Sequence, residues 1–385
     1  MAQQSDASSQ PSLTIDTWAP RLSVTIDGSE LAATGGGPGY LVDVTVNLSL
    51  TDIDGFTLQV LNWDEQKRAP RFVAKDINQM LGRAPGPEYP FGLGKPVQIT
   101  MGYPKWEKQL IAGEITRVRP VFPSSGPPML IIDGFDGLHR LKGGVRNKAY
   151  PKKTDSEIVQ AVIDLANKEN AERLKAKIDP TTEKFEMVCQ FDMTDAGFLK
   201  ERAARIGYEL FVRDDTLYFR KPAEKETKGQ LMLEWGKNLE SLDVNVNVGG
   251  QIAQVEVRSM DRMKRETISY KTTDGDLKSL VPKGMSGAKA RETLFGGKPL
   301  VITSIPVNTK EEAKAIAVAR LRRAMESFVT VRGATFGMPD LRPGTGVTIN
   351  GIDPILAGDY YLTRCTHRFG AQGYRSDFEA RRLEL

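Results

Sequence analysis

Histidine is the residue to test first for chemistry, because it most often serves as a general acid or base near neutral pH. The 385-residue chain has two histidines, His139 and His367. Each lies in or beside a segment with strand-like alternation, and neither has a serine, aspartate or cysteine partner in a catalytic spacing. The pattern therefore favours two structural histidines over a catalytic or metal-binding role.

Carboxylates and thiols are the next groups that could react. Asp133 and Asp136 form a carboxylate pair, but they end a predicted strand, where aspartate more often caps a turn. Cys189 and Cys365 are far apart in apolar, strand-like surroundings, which predicts two buried free thiols rather than a disulfide or a metal site. We therefore expect no catalytic residue, no metal and no cofactor.

Glycine-rich and basic segments were considered as sites for phosphate or nucleic acid. Residues 35–39, GGGPG, have no lysine and no following helix signal, which argues against a phosphate cradle. The arginines at 320, 322 and 323 and the basic segment 260–298 have no interleaved aromatics for base stacking. With a net charge of only +4, a solvated face or an acidic protein partner is the favoured interpretation, and no nucleic-acid binding is expected.

Composition places the chain among ordinary globular proteins of two or three domains, with 40% hydrophobic and 26% charged residues. No apolar run approaches the length of a membrane span, so stable membrane insertion is not expected. Residues 1–12 are polar and lack the basic and apolar parts of a signal peptide. We expect a disordered N-terminus on a protein that is made in the cytoplasm and kept there until it is assembled or released.

Strand-like alternation dominates both ends of the chain. Residues 41–50 alternate apolar and polar side chains, and Val347 and Ile349 alternate with Thr348 and Asn350. Simple alternation after Gly358 predicts two opposite faces, one with Tyr360, Leu362 and Arg364 and the other with Tyr361, Thr363 and Cys365. The last fifty residues are therefore predicted to form a small β-barrel or meander.

An internal repeat predicts a second barrel of the same kind. Residues 97–102, VQITMG, resemble 347–351, VTING, and residues 110–114, LIAGE, resemble 355–359, ILAGD. A chance match of short strand patterns is the alternative. The predicted fold is α+β, mainly β, with two tube-protein-like barrels around an α+β insert.

The domain organisation follows from these patterns and from helix signals. Thr154 and Glu157 form a capping box, Thr194 or Asp195 starts a second helix, and Gly207 ends it. The predicted units are a disordered start (1–12), a first barrel (13–149), an insert (150–222) and a second barrel (223–385) with a charged, mobile excursion (260–300) and a helix (309–326).

Three stretches carry motifs that can be compared with known families. They are residues 195–222 (DAGFLKERAARIGYELFVRDDTLYFRKP), residues 339–344 (PDLRPG) with Gly351, residues 358–361 (GDYY) and His367, and residues 373–378 (GYRSDF). Together they resemble the phage late control D proteins, a baseplate hub family whose module also opens the VgrG proteins of type VI secretion. The resemblance spans residues 13–382 and rests on structural motifs.

The resemblance implies a homotrimeric hub at the tip of a contractile tail or tail-like injection system. Three copies with two barrels each would match a sixfold tail tube above and a threefold spike below. Implied partners are the tail tube protein, a separate spike protein, other baseplate components and a tape measure protein, in a virion or an extracellular particle. The sequence ends after the second barrel, where VgrG chains continue, which is the reason for expecting a separate spike.

Strand edges were expected to make the ring and the subunit contacts. The residues predicted for this role are Val97, Ile99, Val347, Ile349, Tyr360, Leu362 and Arg364. Two alternative functions were kept, a tail-tip cell-wall hydrolase and a carbohydrate-binding tail accessory. The first would need an accessible acidic pair or a metal site, and the second would need aromatic side chains grouped on one exposed face.

Overall fold

The computed structural model describes residues 19–33, 40–83, 89–169, 174–224, 231–261 and 265–385. The predicted disordered start (1–12) and the glycine-rich turn (35–39) lie outside the described residues. The strands of the first half are β1 (Arg21–Ile26), β2 (Ser29–Ala33), β3 (Leu41–Ser49), β4 (Gly55–Leu61), β5 (Pro96–Tyr103), β6 (Trp106–Val121) and β7 (Met129–Phe135), with the short helix α1 (Ile77–Met80) between β4 and β5.

The middle of the chain contains a 3₁₀ turn and an α+β unit. After the 3₁₀ turn at Gly137–Lys142, its elements are β8 (Arg146–Thr154), α2 (Asp155–Glu169), β9 (Lys175–Ile178), β10 (Lys184–Met193), α3 (Asp195–Ile206), β11 (Glu209–Arg213) and β12 (Thr216–Arg220). We call this unit the insert.

The second half continues the β structure and adds three helices. Its elements are β13 (Met232–Glu234), β14 (Leu239–Val246), β15 (Val255–Asp261), β16 (Glu266–Lys271), α4 (Asp274–Leu280), α5 (Gly287–Phe295), β17 (Leu300–Ile302), α6 (Lys310–Met325), β18 (Val329–Phe336), β19 (Gly346–Asn350), β20 (Gly358–Gly370) and β21 (Gly373–Arg382). The prediction of an α+β, mainly β fold is confirmed.

One antiparallel-dominated sheet of thirteen strands contains both barrels. The first barrel uses β1 to β7, and the second uses β13, β14 and β18 to β21. A single apolar core, from Leu22 to Ala380, fills both barrels. Because the two barrels share one sheet and one core, the chain is expected to hold them in a fixed relative position.

The two barrels have the same strand order. The first runs β3-β4-β7-β6-β5 and the second runs β14-β18-β21-β20-β19. In both, the strands follow the same succession along the chain, so β3 corresponds to β14, β4 to β18, β5 to β19, β6 to β20 and β7 to β21. The identical topology supports the predicted duplication.

Each barrel has two β-bulges, and they lie at corresponding positions in the two barrels. One interrupts the β3–β4 pairing after Leu41 and the β14–β18 pairing after Leu239. The other interrupts β6–β7 after Ile115 and β20–β21 after Leu362. A bulge adds one residue to one strand and reverses the alternation beyond it. The prediction that Leu362 and Arg364 share a face is therefore wrong, because Leu362 is buried and Arg364 points outward.

Strand register also tests the sequence repeat. Val97 lies opposite Gly113 in the first barrel, and Val347 lies opposite Tyr360 in the second. Val97 and Val347 therefore correspond, as the sequence repeat predicted. Gly113 corresponds to Tyr360 rather than to Gly358, so the match of residues 110–114 with 355–359 is displaced by two positions.

The insert has an apolar core of its own, from Leu138 to Phe219. Thr154 and Glu157 form the predicted capping box, with each side chain bonded to the other residue's amide. Thr194 caps α3 through the amide of Gly197, and Gly207 ends that helix with a φ of 72°. Glycine suits this end because side chains are strained at such a φ.

The segment predicted as a mobile excursion is folded in its described part. Residues 265–300 form β16, α4 and α5, and β16 pairs with β15. Val257, Val281 and Ala288 are buried against α6, around Ile316 and Leu321. The charged residues gave this segment a loop-like composition, but part of its apolar side chains pack into one small core, while Leu294 and Phe295 stay exposed. Across the described residues, no helix has the length and apolar character needed to cross a membrane.

Candidate functional site: the seam between the two barrels

The two barrels meet edge to edge where β3 of the first pairs with β20 of the second. We call this pairing the seam. Six residue pairs form its antiparallel register, from Arg364 opposite Ser49 to Phe369 opposite Val44. The amide of Leu50 adds a hydrogen bond of 3.1 Å to the carbonyl of Thr363. The seam therefore makes the sheet continuous from one barrel to the next.

Side chains on the two faces of the seam differ in polarity. On the core face, Val46 and Leu48 of β3 lie opposite His367 and Cys365 of β20, and all four are buried. On the other face, the Thr366 hydroxyl donates to the Asn47 amide oxygen at 2.9 Å. Arg364 donates to the Asp52 carboxylate at 2.5 Å. One face of the seam is thus sealed by packing and the other is solvated and charged.

A hairpin of the first barrel closes the seam at one end. In the β5–β6 hairpin, the indole of Trp106 donates to the Asp340 carboxylate at 2.5 Å. Tyr103 stacks on Trp106 and contacts the rings of Phe336 and Tyr374 of the second barrel. This hairpin therefore acts as a second contact between the barrels, beyond the paired strands.

His367 lies at the centre of a buried polar cluster next to the seam. Its Nε2 lies 2.9 Å from the carbonyl of Leu341, and its Nδ1 lies 2.9 Å from the hydroxyls of Tyr374 and Ser376. A carbonyl can only accept, so Nε2 carries the proton and Nδ1 accepts. Burial lowers the pKa of His367 from 6.5 to about 4, so the ring is neutral at physiological pH.

Sequence reasoning missed the serine partner of this histidine. Ser376 is nine residues away along the chain, and the β20–β21 register places it opposite His367. A serine–histidine contact could serve nucleophilic catalysis, but His367 and Ser376 are both fully buried and no substrate can reach them. The contact satisfies buried polar atoms, and the structural interpretation of His367 agrees with this geometry.

A second buried polar group joins the first barrel, the insert and the second barrel. Burial raises the pKa of Asp136 to about 7. The pKa of Asp54 is raised well above its usual value by burial and by the neighbouring Asp136 carboxylate. The guanidinium of Arg213, from the insert, donates to the carbonyl of Pro343 at 2.6 Å. Burial lowers the pKa of Arg213, with further lowering by Arg342. These groups hold the insert against the seam rather than forming an open acidic cleft.

The remaining residues considered for chemistry have structural partners. Asp136 caps the 3₁₀ turn through the amide of Leu138, as predicted, and Asp133 binds Arg117 at 2.8 Å. The Nδ1 of His139 lies 2.7 Å from the carbonyl of Asp136. Cys365 is buried as predicted, but Cys189 is exposed, because it lies on the outward face of β10. Within the described residues, no group of three potential metal ligands is found.

The residues predicted to make subunit contacts lie mostly in the barrel cores. Six of the seven side chains are at most 2% exposed: Val97, Ile99, Val347, Ile349, Tyr360 and Leu362. Strand β5 is paired on both sides by β1 and β6, and β19 is paired on both sides by β13 and β20. Their side chains cannot face a neighbouring chain. Arg364 is outward, but it spans the seam within the chain.

Two strand edges correspond to the seam but have no partner in the described part of the chain. Strand β14 corresponds to β3, and it pairs only with β18 along residues 242–246. The second half of β6 corresponds to the seam half of β20, and residues 117–121 pair only with β7. The seam thus has a second, open copy, with one half at the β14 end of the sheet and the other half where β6 extends beyond its pairing with β5.

The family model of the Alg8 N-terminal domain matches residues 88–370, about three quarters of the chain. The chain belongs to the Alg8 N-terminal domain family. This match is not to a specific hub family, so the late control D assignment is supported only at the level of tail-related folds. No curated protein matches the sequence.

Solved structures with the same fold are tail proteins. The 43-kDa tail protein of prophage MuSo2 from Shewanella oneidensis matches with a TM-score of 0.67 and 14% identity, over 95% of this chain and 99% of its own. A tail protein from Neisseria meningitidis MC58 matches with a TM-score of 0.65 and 13% identity, over 95% and 97%. At these identities the similarity establishes the fold.

A secretion protein also shares this fold. The E. coli c3393 protein, a component of the type VI secretion system, matches with a TM-score of 0.56 and 12% identity, over 93% of this chain and 76% of its own. That protein is described as structurally similar to the T4 bacteriophage tail proteins gp27 and gp5. The fold is therefore shared by phage tails and a tail-like secretion system.

Proposed function

We propose that the chain is the baseplate hub of a contractile phage tail or a tail-like injection system. Three copies form a ring of six barrels that joins the sixfold tail tube to the threefold spike. The fold shared with tail proteins and with the type VI component supports a structural role in a tail. The single observation that carries the ring is the open copy of the seam, formed by the edges of β14 and β6.

The register of the seam specifies how the open edges pair between copies. When the corresponding bulges are used to align the two barrels, the seam register places Val118 opposite Val246 of the next copy and Pro120 opposite Val244. Two residues further along, Phe122 lies opposite Leu242. These pairs take the places of Cys365–Leu48, His367–Val46 and Phe369–Val44, which are the core-facing pairs of the seam.

Side-chain chemistry fits this pairing. All three core-facing pairs between copies are apolar, yet Phe122 is 65% exposed and Val246 is 42% exposed in the single chain. On the outward face, the same register places Arg119 opposite Asn245 and diagonal to Asp243 of the next copy, which puts opposite charges within reach across the edge. Long exposed strand edges invite unwanted pairing. Pro120 cannot donate to a ladder, so any strand that pairs with this edge, including β14 of the next copy, gains one hydrogen bond fewer there.

Closure follows if the second seam repeats the geometry of the first. A head-to-tail contact between identical units closes into a ring when the rotation per unit divides a full turn. Two barrels in each chain give six barrels from three chains. The closed sheet leaves no edge at either seam, which removes the exposed ladder groups of β14 and β6.

The polar face of the sheet lines the channel of this ring. It presents basic and acidic side chains along the second barrel and the neighbouring strands: Arg117, Arg119, Arg332, Arg364, Arg368 and Arg375 with Asp43, Asp133, Asp243, Asp377 and Glu379. Arg375 is itself paired with Glu240. Mixed charge of this kind gives a solvated channel surface that does not strongly attract either positively or negatively charged molecules.

A charge placed in the second seam tests the ring. Val246→Arg should prevent assembly, because it places a guanidinium where the register requires an apolar contact. Val301→Arg is the matched control, since Val301 is also an edge-strand valine with 42% exposure. Light scattering across a dilution series should give three times the 42.5-kDa chain mass for the wild type and the control, and a single-chain mass for Val246→Arg.

The same preparation tests the hub assignment. Purified wild-type rings should bind tail tube protein on one side and spike protein on the other, and Val246→Arg chains should bind neither as a ring. Wild-type chains that stay single at every concentration, with spike protein also present, would contradict the proposal. Rings that form equally well from the Val246→Arg variant would contradict the β14–β6 seam.

A further inference from the structure

The hairpin that closes the seam within one chain has a counterpart in the second barrel. In the first barrel, the β5–β6 hairpin places Tyr103 against Phe336 and Tyr374. The corresponding hairpin joins β19 to β20 and spans residues 351–357. Its tip carries Ile355, whose backbone is fixed because its amide donates to Asp353 and its carbonyl accepts from Arg382.

The surface on which the first hairpin packs, around Phe336 and Tyr374 of the second barrel, also has a counterpart on the first barrel. The amide of Gly337 donates to the carbonyl of Tyr374, and the amide of Asn62 donates to the carbonyl of Pro128, both at 2.8 Å. These bonds make Asn62 correspond to Gly337 and Pro128 to Tyr374. The counterpart of this surface is therefore the region where residues 62–83 leave β4 beside Pro128.

Both counterparts are apolar and exposed. Ile355 is 66% exposed, and Trp235, which packs beside the base of this hairpin at Gly351, is 50% exposed. The connection 62–95 is longer than the corresponding residues 337–345. Its added residues carry Val73, Ile77 and Met80, which are 52%, 63% and 43% exposed. Exposed apolar clusters of this kind mark contact surfaces more often than scattered single residues do.

We infer that the β19–β20 hairpin of one copy packs on residues 62–83 of the next copy, with Ile355 against the apolar side chains around Ile77. The occupant is a second copy of this chain, because the internal duplication places the two patches on the two sides of the same open seam. This inference rests on the proposed ring. It adds a second contact between copies, where apolar packing replaces the Trp106–Asp340 hydrogen bond of the seam within the chain.

The contact is tested by Ile355→Asp against a matched control, Leu294→Asp. Leu294 is 64% exposed on α5, outside both seams. Losing the burial of one isoleucine should raise the chain concentration at half-assembly by about tenfold or more, and the control should leave it unchanged. Unchanged thermal unfolding of the single chain would show that Ile355→Asp still folds.

Cross-linking locates the contact directly. In a Cys189→Ser background, chains with both Ile355→Cys and Ile77→Cys should give covalent three-chain products with a short bismaleimide, and either single variant should not. If wild-type rings form and Val246→Arg abolishes them, but Ile355→Asp assembles normally and no cross-link forms, the hairpin contact is overturned and the ring stands. If wild-type chains form no ring, the ring and the hairpin contact are both overturned.

Discussion

Gly94 and Gly344 occupy the same backbone position in the two barrels. Both have a φ of 80°. The amide of Gly94 donates to the carbonyl of Ile115 at 2.8 Å, and the amide of Gly344 donates to the carbonyl of Leu362 at the same distance. The correspondence extends beyond strand order to the single hydrogen bonds that end the loops before β5 and β19. Only the surroundings of the two glycines differ.

Alanine at these two positions should therefore have unequal effects. Either substitution should cost about 1–2 kcal/mol of unfolding free energy, because a Cβ is strained at this φ. A Cβ at Gly94 meets open space, but one at Gly344 lies 2.5 Å from the guanidinium of Arg220. Arg220 bonds Glu209 and the carbonyl of Gly344, so Gly344→Ala should cost roughly 1–3 kcal/mol more. Urea unfolding measures both, and equal losses would contradict this account.

The buried His367 should make the protein sensitive to acid. Its pKa is about 4 when folded and 6.5 when unfolded. Above pH 6.5 the ring is neutral in both states, so its contribution to stability is fully present. As the pH falls from 6.5 to 4 only the unfolded state takes up a proton, and up to about 3 kcal/mol is lost. His367→Gln should flatten this part of the pH profile of the urea midpoint, and an unchanged slope would rule out the assignment.

Asp136 should act in the opposite direction over nearly the same range. Its pKa is raised from 3.8 to about 7 on folding. Its contribution is fully present below pH 3.8 and is lost as the pH rises through 7, to a total of up to roughly 4 kcal/mol. Asp136→Asn keeps an oxygen acceptor for the amide of Leu138 and removes the titration.

The variant should be more stable than the wild type at pH 8, and its loss of stability in acid should be steeper, because Asp136 no longer offsets His367. Unfolding midpoints at pH 4.5, 6 and 8 give both slopes. Glu157→Gln, a change at an exposed capping residue, serves as a control for general charge effects. A variant that follows the wild-type profile at all three values would show that Asp136 does not titrate in this range.

Local features of this fold could be predicted from sequence, and long-range ones could not. The capping box of Thr154 and Glu157 and the stop at Gly207 depend on neighbours within a few residues, so composition and spacing determine them. The correspondence of Val97 with Val347 was visible for the same reason. The seam pairs Leu48 with Cys365, which lie more than three hundred residues apart in the sequence. No local pattern specifies such a pairing.

A β-bulge explains why the predicted face of β20 is wrong. Simple alternation assigned Tyr360, Leu362 and Arg364 to one contact face, but the extra residue at Thr363 moves Arg364 to the opposite face. An alternating pattern also cannot tell a strand that faces a core from one that faces another subunit, since both need apolar side chains. Val97 and Val347 were expected at a contact on this ground, and they lie in cores. The exposed Phe122 and Val246 are distinguished only by the fold.

The covalent connection between the barrels weakens the concentration dependence of ring assembly. A ring built from six separate barrels would need five encounters between free molecules, each with its own loss of translational and rotational freedom. In a three-copy ring of this chain, the β3–β20 pairing forms within one molecule at the high effective concentration of a tether. Only two encounters between free chains remain, and the third contact closes within the complex, so the ring should tolerate dilution far better than six free barrels with the same edges.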